Sequence, residues 1–371
     1  MHLHIITFDI PYPSTYGRGI DVFYKIKALA EEGLKIHLHC FEYGRTHSKE
    51  LETICEEIYY YPRKKILASL PLKIPHAVNS RRSRELLQNL QADDYPILFE
   101  GLHSCFYLAH KSLAHRKKLV RMHNVEWEYY YELAQRETRV TQQAYLLLES
   151  RRLQSFETVL GHSDHILTIS PKDLEYYQQM FRQSSYLPAF HPHRGMNSLS
   201  GRGDYCLYHA KLNIAENHEV AMFLIQEVFA DLSVPLIIAG SEPLPKLITK
   251  ISEFNHINLR HNPGRGEMLD LIRQAHIHVL PTFQSTGIKL KLLSALFSGR
   301  FVLVNEPMVS KTGLEEYCTI AHDAGEFKRL IIQLMKHDFS QHEIDKRKEL
   351  LKRTFSNKHN AQHIIKQLAR Y

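Results

Sequence analysis

The residues between Pro281 and Asn305, PTFQSTGIKLKLLSALFSGRFVLVN, could do chemistry on an anion. Gly287 opens a turn, Ile288–Phe297 has helical character, Gly299 ends it and Phe301–Val304 is a short β-rich run. The helix is apolar on most sides (Ile288, Leu290, Leu292, Leu293, Ala295, Leu296, Phe297), which predicts burial. Lys291, Ser294 and Ser298 stand three and four apart and share one face. A lysine in the first turn meets the positive end of the helix dipole, so it suits a site where an anion also sits. A partly solvated helix whose lysine reaches for water fits the same pattern.

Other polar groups fall just beyond predicted strand ends, where open α/β sheets bind ligands. Strand Ile97–Glu100 ends in Glu100-Gly101-Leu102-His103, and Lys118–Met122 ends in His123-Asn124. A carboxylate at the place of Glu100 could accept a proton from a bound hydroxyl. Near the start, Tyr16-Gly17-Arg18-Gly19 joins a strand to a helix. Gly17 and Gly19 would let the backbone approach a ligand, although a tight turn also explains them.

These stretches resemble the GT-B glycosyltransferases, in particular the retaining family 4. LLSALFSGRFVLVN stands where that family has LLEAMASGxPVVxx, and Gly287-Ile288-Lys289-Leu290-Lys291 is similar to a sub-branch. Both glutamates of the family's E-x7-E segment are replaced, by Thr286 and Ser294. The resemblance implies a GT-B fold: two Rossmann-like α/β domains facing across a cleft, with a C-terminal helix crossing back to the first. It also implies a metal-independent transfer of sugar from a UDP- or GDP-sugar donor, with no cofactor, to a glycan or lipid-linked acceptor. Retention at the anomeric carbon and a part in cell-surface polysaccharide or glycoconjugate synthesis belong to the same expectation.

Residue by residue, HNVEWEYY matches the donor-sugar histidine segment and makes His123 a catalytic candidate. AKLNIAEN aligns with GRLxxxKG, so Lys211 takes the arginine's place and Glu216 that of the lysine. Lys291 is then expected to supply the missing charge. Lys289, about 200° round the helix from it, is assigned to the loop. Donor-binding candidates are Gly17, Gly19, Gly240, Ser241, Asn262, Gly264, Thr286, Gly287, Ile288, Lys289 and Ser294. Glu100, His103 and Asn124 are candidates for the acceptor side. Loss of both glutamates also fits a catalytically inactive partner or regulator of another glycosyltransferase. A nucleotide-sugar epimerase is a third reading of the same fold.

The elements that must position these groups follow from strand and helix periodicity. The 371 residues suffice for two domains, and 44% hydrophobic with 23% charged is a globular balance. A net charge of +7 favours anionic ligands but is too weak to imply nucleic acid, for which no motif stands out. Five scattered cysteines suit a reducing compartment and offer no metal framework. Alternating His2/His4, His37/His39 and His276/His278 are expected to be ordinary strand residues rather than zinc ligands. Met1–Ile10 has the pattern of a strand, not of a signal peptide, and no run is long enough to span a bilayer. The expected compartment is therefore the cytoplasm. Pro62–Arg84 carries seven Lys and Arg residues among apolar ones and no acid. It suits peripheral contact with the inner face of an anionic membrane, or a lipid diphosphate, as well as it suits a solvated basic loop.

Alternating strands and helices predict a first Rossmann-like domain over 1–190, a linker over 191–203 and a second domain over 204–354. A tail helix over 355–371 is expected to pack on the first domain. Expected elements include helix Ile20–Glu32, a long helical region Glu126–Leu160 broken in two, a Ser170-Pro171 helix start, strand Tyr186–Phe190 and helix Ala215–Phe229.

Overall fold

A computed structural model describes residues 1–13, 17–64, 73–283 and 290–369. The chain forms two compact units, Met1–Pro192 with Phe355–Tyr371 and His193–Thr354.

The first unit is built on β1 (His2–Ile6), β2 (Lys35–Glu42), β3 (Glu57–Pro62), β4 (Ile97–Glu100), β5 (Lys118–Met122), β6 (His165–Thr168) and β7 (Ser184–Tyr186). They pair in the order β3-β2-β1-β4-β5-β6-β7, every pair parallel. Parallel strands are covered on both faces, which is why ILFE and KLVRM are buried at every position. Helix Gly17–Glu31 follows β1 and covers the sheet with Val22, Phe23, Ile26 and Leu29. The helical region after β5 divides into Glu126–Arg136 and Val140–Phe156. Ser170 caps the next helix, its hydroxyl accepting from the Asp173 amide, with Pro171 in the first turn. The tail helix Asn357–Leu368 joins this unit through Ala361, Ile364 and Leu368 in the same core as the first helix. Asn357 fixes its entry by donating to the His191 carbonyl at 2.7 Å.

The alternating histidines are structural. His4 lies between Asp93 and His39, and His39 reaches the Tyr61 hydroxyl at 2.8 Å. His37 bridges His2 and Glu57, and His276 and His278 bond backbone carbonyls. All five cysteines are free thiols.

The second unit contains β8 (Cys206–Lys211), β9 (Leu236–Ser241), β10 (Ile257–His261), β11 (Ile277–Val279), β12 (Phe301–Val304) and β13 (Thr319–Ile320). Their order is β10-β9-β8-β11-β12-β13, again all parallel. Gly240 is demanded by sterics: a Cβ there would lie 1.8 Å from the Ala210 carbonyl oxygen of β8. Helix Leu290–Ser298 buries Leu292, Leu293, Ala295, Leu296 and Phe297.

Three expectations need correction. The last strand of the first unit is Ser184–Tyr186, ending where Tyr186–Phe190 was expected to begin; past Tyr186 only the Leu187 amide still bonds β6, donating to the Thr168 carbonyl, and the Phe190 amide turns to Asp21. Helix Ala215–Phe229 is α-helical only to Phe223 and continues as a π-turn over Leu224–Val228. Residues 193–203 are not a free linker. His193 stacks on Phe297, the Asn197 amide donates to the Phe297 carbonyl, and Gly201 pairs with Phe339, so the second unit takes up this pattern-free stretch. Among the described residues no helix is long and apolar enough to cross a membrane.

Candidate functional site

Two groups of polar side chains gather at carboxyl ends of central strands, one in each unit.

In the first unit the helix after β1 brings Asp21 and Lys25, one turn apart, against the ends of β4 and β5. The Lys25 ammonium is fully buried. It donates to Asp21 Oδ2 at 3.0 Å and to both Glu100 oxygens at 2.8 Å. Glu100 Oε2 also faces His123 Nε2 at 3.0 Å. Asp21 Oδ1 accepts from the Phe190 amide at 2.7 Å and lies 3.4 Å from the Arg121 guanidinium. Arg121 is itself buried and donates to the Thr168, Leu187 and Pro188 carbonyls.

Burial by itself would raise both carboxyls. Lys25, aided by His123 and, at Asp21, by Arg121, outweighs it and holds both below the usual carboxylate range. Burial lowers His123, against the pull of Glu100 and Asp21, so the imidazole is neutral at pH 7. Its Nε2 carries the proton given to Glu100. Nδ1 has no hydrogen-bond partner and stands 3.7 Å from Asp21 Oδ2. Asp21, Glu100 and His123 bring potential metal-ligand atoms within 4.8 Å of one another, but here the cation between the carboxylates is the Lys25 ammonium.

Around this core, Arg18 donates to Glu126 at 3.1 Å, and His103 Nε2 lies 3.8 Å from the same oxygen. The Asn124 carboxamide, oriented to satisfy its neighbours, donates to the His123 carbonyl and accepts from Arg18. The structure thus brings Glu100, His103, His123 and Asn124 together, as their positions after strand ends predict. The role expected of Glu100 does not fit. Both its oxygens accept from Lys25, Oε2 also faces His123, the side chain is fully buried and its basicity is depressed, which suits holding His123 better than receiving a proton. Gly17 opens the helix that carries Arg18 and Asp21, and Gly19 is buried in its first turn.

Sequence reasoning passes over Asp21, Lys25 and Arg121. A signal was present: two opposite charges four apart on the same helix face as the apolar Val22, Ile26 and Leu29, and an arginine inside the central strand KLVRM.

In the second unit Lys211 ends β8 and pairs with Glu242 at 3.3 Å, both partly exposed. Asn217 links the Lys291 side chain to the main chain at Lys211. Its Nδ2 donates to the Lys211 carbonyl at 3.0 Å, and its Oδ1 accepts from Lys291 Nζ at 3.4 Å. Lys291 also lies over the Tyr208 ring, 5.2 Å from its centre. Burial, reinforced by the Lys291 charge, pushes His209 down to about 3.

Gly240, Ser241 and Asn262 form the adjoining rim. The Leu212 amide donates to the Ser241 carbonyl and the Asn262 amide to that of Gly240. Asn262 Oδ1 accepts from the Glu242 amide at 3.0 Å. Glu242 and Asn262 both have left-handed backbones, with φ of 54° and 49°. Non-glycine residues rarely adopt that conformation outside functional edges and tight turns. Gly264 caps helix Arg265–Gln274 after β10, with open space where a side chain would project. Ser294 is turned toward His193, 3.2 Å away. Glu216, in the place of the expected lysine, accepts from the Thr282 hydroxyl. Thr286, Gly287, Ile288 and Lys289 lie outside the described residues.

No family model matches the chain. A Klebsiella pneumoniae protein, described as an uncharacterized 44.6 kDa protein in cps region, is 26% identical over 362 residues, 92% of each chain. Among solved structures, Anabaena HepE in complex with UDP and glucose superposes with a TM-score of 0.66 at 10% identity, over 100% of this chain and 99% of that one. A variant of S. aureus TarM, in complex with fondaparinux, alpha-GlcNAc-glycerol and UDP, gives 0.68 at 8% identity over 100% of both. With their paired parallel sheets, these likenesses assign the chain to the GT-B fold of glycosyltransferases, two Rossmann-like α/β units.

Proposed function

We propose that the protein transfers a sugar from a nucleotide-diphosphate-sugar to a glycan or lipid-linked acceptor in the synthesis of a cell-surface polysaccharide. The carrying observation is that Asn217, beside the carboxyl end of β8, accepts from the Lys291 ammonium and donates to the backbone carbonyl of Lys211. A leaving diphosphate needs cations when it is drawn out of water. Lys291 would meet it directly, Lys211 on release from Glu242, and the Gly240–Ser241 and Asn262–Gly264 turns would offer backbone groups to the nucleotide. The UDP bound by HepE and TarM supports a uridine donor, and the cps region of the Klebsiella relative supports the polysaccharide context.

In this reading the reaction is retaining and needs no metal. The acceptor hydroxyl attacks the anomeric carbon on the face the diphosphate leaves. The bond from that carbon to the diphosphate oxygen breaks with its electron pair going to the oxygen, and the hydroxyl proton passes to the departing diphosphate. His123, neutral and held by Glu100, is the candidate for contact with the donor sugar. The protein acts at the cytoplasmic side of the membrane.

Titration calorimetry with UDP, GDP and their sugars tests the proposal. UDP or GDP binding should weaken at least about tenfold in Lys291→Met, the loss expected for one charge-assisted bond to phosphate. Absence of nucleotide binding, or an unchanged affinity in Lys291→Met, would refute it. Glu216 in the lysine's place and the Lys211–Glu242 pair favour a second reading, an inactive partner of another transferase. Failure to bind any nucleotide sugar is the outcome that reading requires.

A further inference from the structure

The first unit has a cavity of about 460 Å³ lined by Lys64, Arg82, Arg84, Phe106 and Tyr107. Three cations and two aromatic rings meet there, with no carboxylate among the described residues of the lining. Nearby arginines are already engaged. Arg81 donates to the Phe8 carbonyl at 2.7 Å, and Arg63 bonds Ser80 and stacks over Tyr43 at 4.2 Å. Among the described residues, Lys64, Arg82 and Arg84 have no ion-pair partner. Arg82 lies 5.9 Å from the centre of the Phe106 ring, and the Tyr107 hydroxyl donates to the Ser83 carbonyl between the two arginines. The walls are therefore fixed by their own contacts while the charged ends remain available. Burial, together with Arg82 and Arg84 beside it, lowers Lys64 from its ordinary value. Three like charges held in one hollow repel each other, and an anion relieves that repulsion. Phe106 and Tyr107 end the turn Leu102–Tyr107, whose first half carries His103 into the buried group beside His123.

We propose that this cavity is a second anion site, which takes the phosphate or diphosphate of a phosphorylated acceptor and sets its apolar or planar portion against Phe106. The inference rests on the transferase reading for the word acceptor, and on the cavity alone for the phosphate. Guanidinium groups favour phosphate oxygens by paired bonds, and an aromatic wall suits the group that bears the phosphate. The phosphate could be presented by a membrane lipid or by a soluble molecule.

The test uses the full chain and its Arg82→Gln/Arg84→Gln variant. Both positions are exposed, and circular dichroism checks that the fold is kept. Wild type should bind inorganic pyrophosphate saturably, and the double variant at least about tenfold more weakly, with UDP affinity unchanged. Tighter binding of farnesyl diphosphate than of pyrophosphate would identify a lipid-borne source, and equal binding a soluble one. Either result supports the site. Pyrophosphate binding equal in wild type and variant, or none in wild type, overturns it. So does a variant that loses only its association with vesicles of phosphatidylcholine and phosphatidylglycerol, because diffuse surface charge would then explain the cavity. A failed UDP titration with the pyrophosphate difference intact would remove the donor proposal and leave this site standing.

Discussion

Replacing Lys25 with Met probes the buried ion group most directly. The side chain keeps nearly the same volume, so the change is electrostatic rather than a cavity. Lys25 bonds Asp21 at 3.0 Å and Glu100 at 2.8 Å, with all three side chains fully buried. At an effective dielectric of about 20, each contact is worth about 6 kcal/mol of gross attraction. Removal of the ammonium also cancels its own desolvation cost, so the net loss is smaller. Asp21 keeps the Phe190 amide and Arg121. Glu100 Oε1 is left with no donor and Oε2 keeps only His123. Breaking a buried pair from one side costs about 3–5 kcal/mol, and that is the expected destabilisation at pH 8.

The sign with pH follows. In wild type both carboxyls are held below their ordinary values, so their stabilisation is present above about pH 4 and lost below it. Without Lys25, burial raises Glu100, whose cost then grows as pH rises. The variant's deficit should therefore shrink from pH 8 to pH 5. Trp127 is the single tryptophan and belongs to the first unit, where its indole donates to Tyr176. Its fluorescence in a urea titration reads that unit alone. Lys25→Met/Glu100→Gln should be less destabilised than the sum of its parts, by about 2 kcal/mol or more. A Lys25→Met loss under about 1 kcal/mol, or one that does not change between pH 5 and pH 8, would refute the network as drawn.

Two further predictions concern the second unit. His209 is buried and pushed down to about 3, against about 6.5 for an unfolded histidine, so its contribution is lost as pH falls. Between pH 8 and pH 5 wild type should lose about 2 kcal/mol relative to His209→Gln, read from hydrogen exchange of the β8 amides; equal losses in both proteins would contradict the burial. Gly240→Ala places a methyl 1.8 Å from the Ala210 oxygen and must push two paired backbones apart. A loss of about 2 kcal/mol or more is expected in thermal unfolding, and wild-type stability would show that β8 and β9 are not packed as described.

Much of the architecture is a local property of the sequence. Apolar runs bounded by Gly, Pro and polar residues mark Ile97–Glu100, Lys118–Met122 and Phe301–Val304, because strands in parallel sheets are covered on both sides. Ser170-Pro171 marks a helix start because a cap is made by near neighbours. The same local order placed Glu100, His123 and Lys211 at or beside carboxyl ends of strands. Strand β3 (EIYYYP) and the two-residue β13 escape this reading, since one is aromatic and half-exposed and the other too short to show a period. What the ends of the strands do was decided by contacts between residues far apart in the chain. Lys25 meets Glu100 across 75 positions, and Lys291 meets Asn217 across 74. The first contact turned Glu100 from a candidate base into a support for His123. The second brings the Lys291 ammonium to the side chain that also holds the main chain at Lys211. Periodicity is written in neighbours, whereas the partner of a buried charge is chosen by whichever strand end the packed sheet brings within about 3 Å of it.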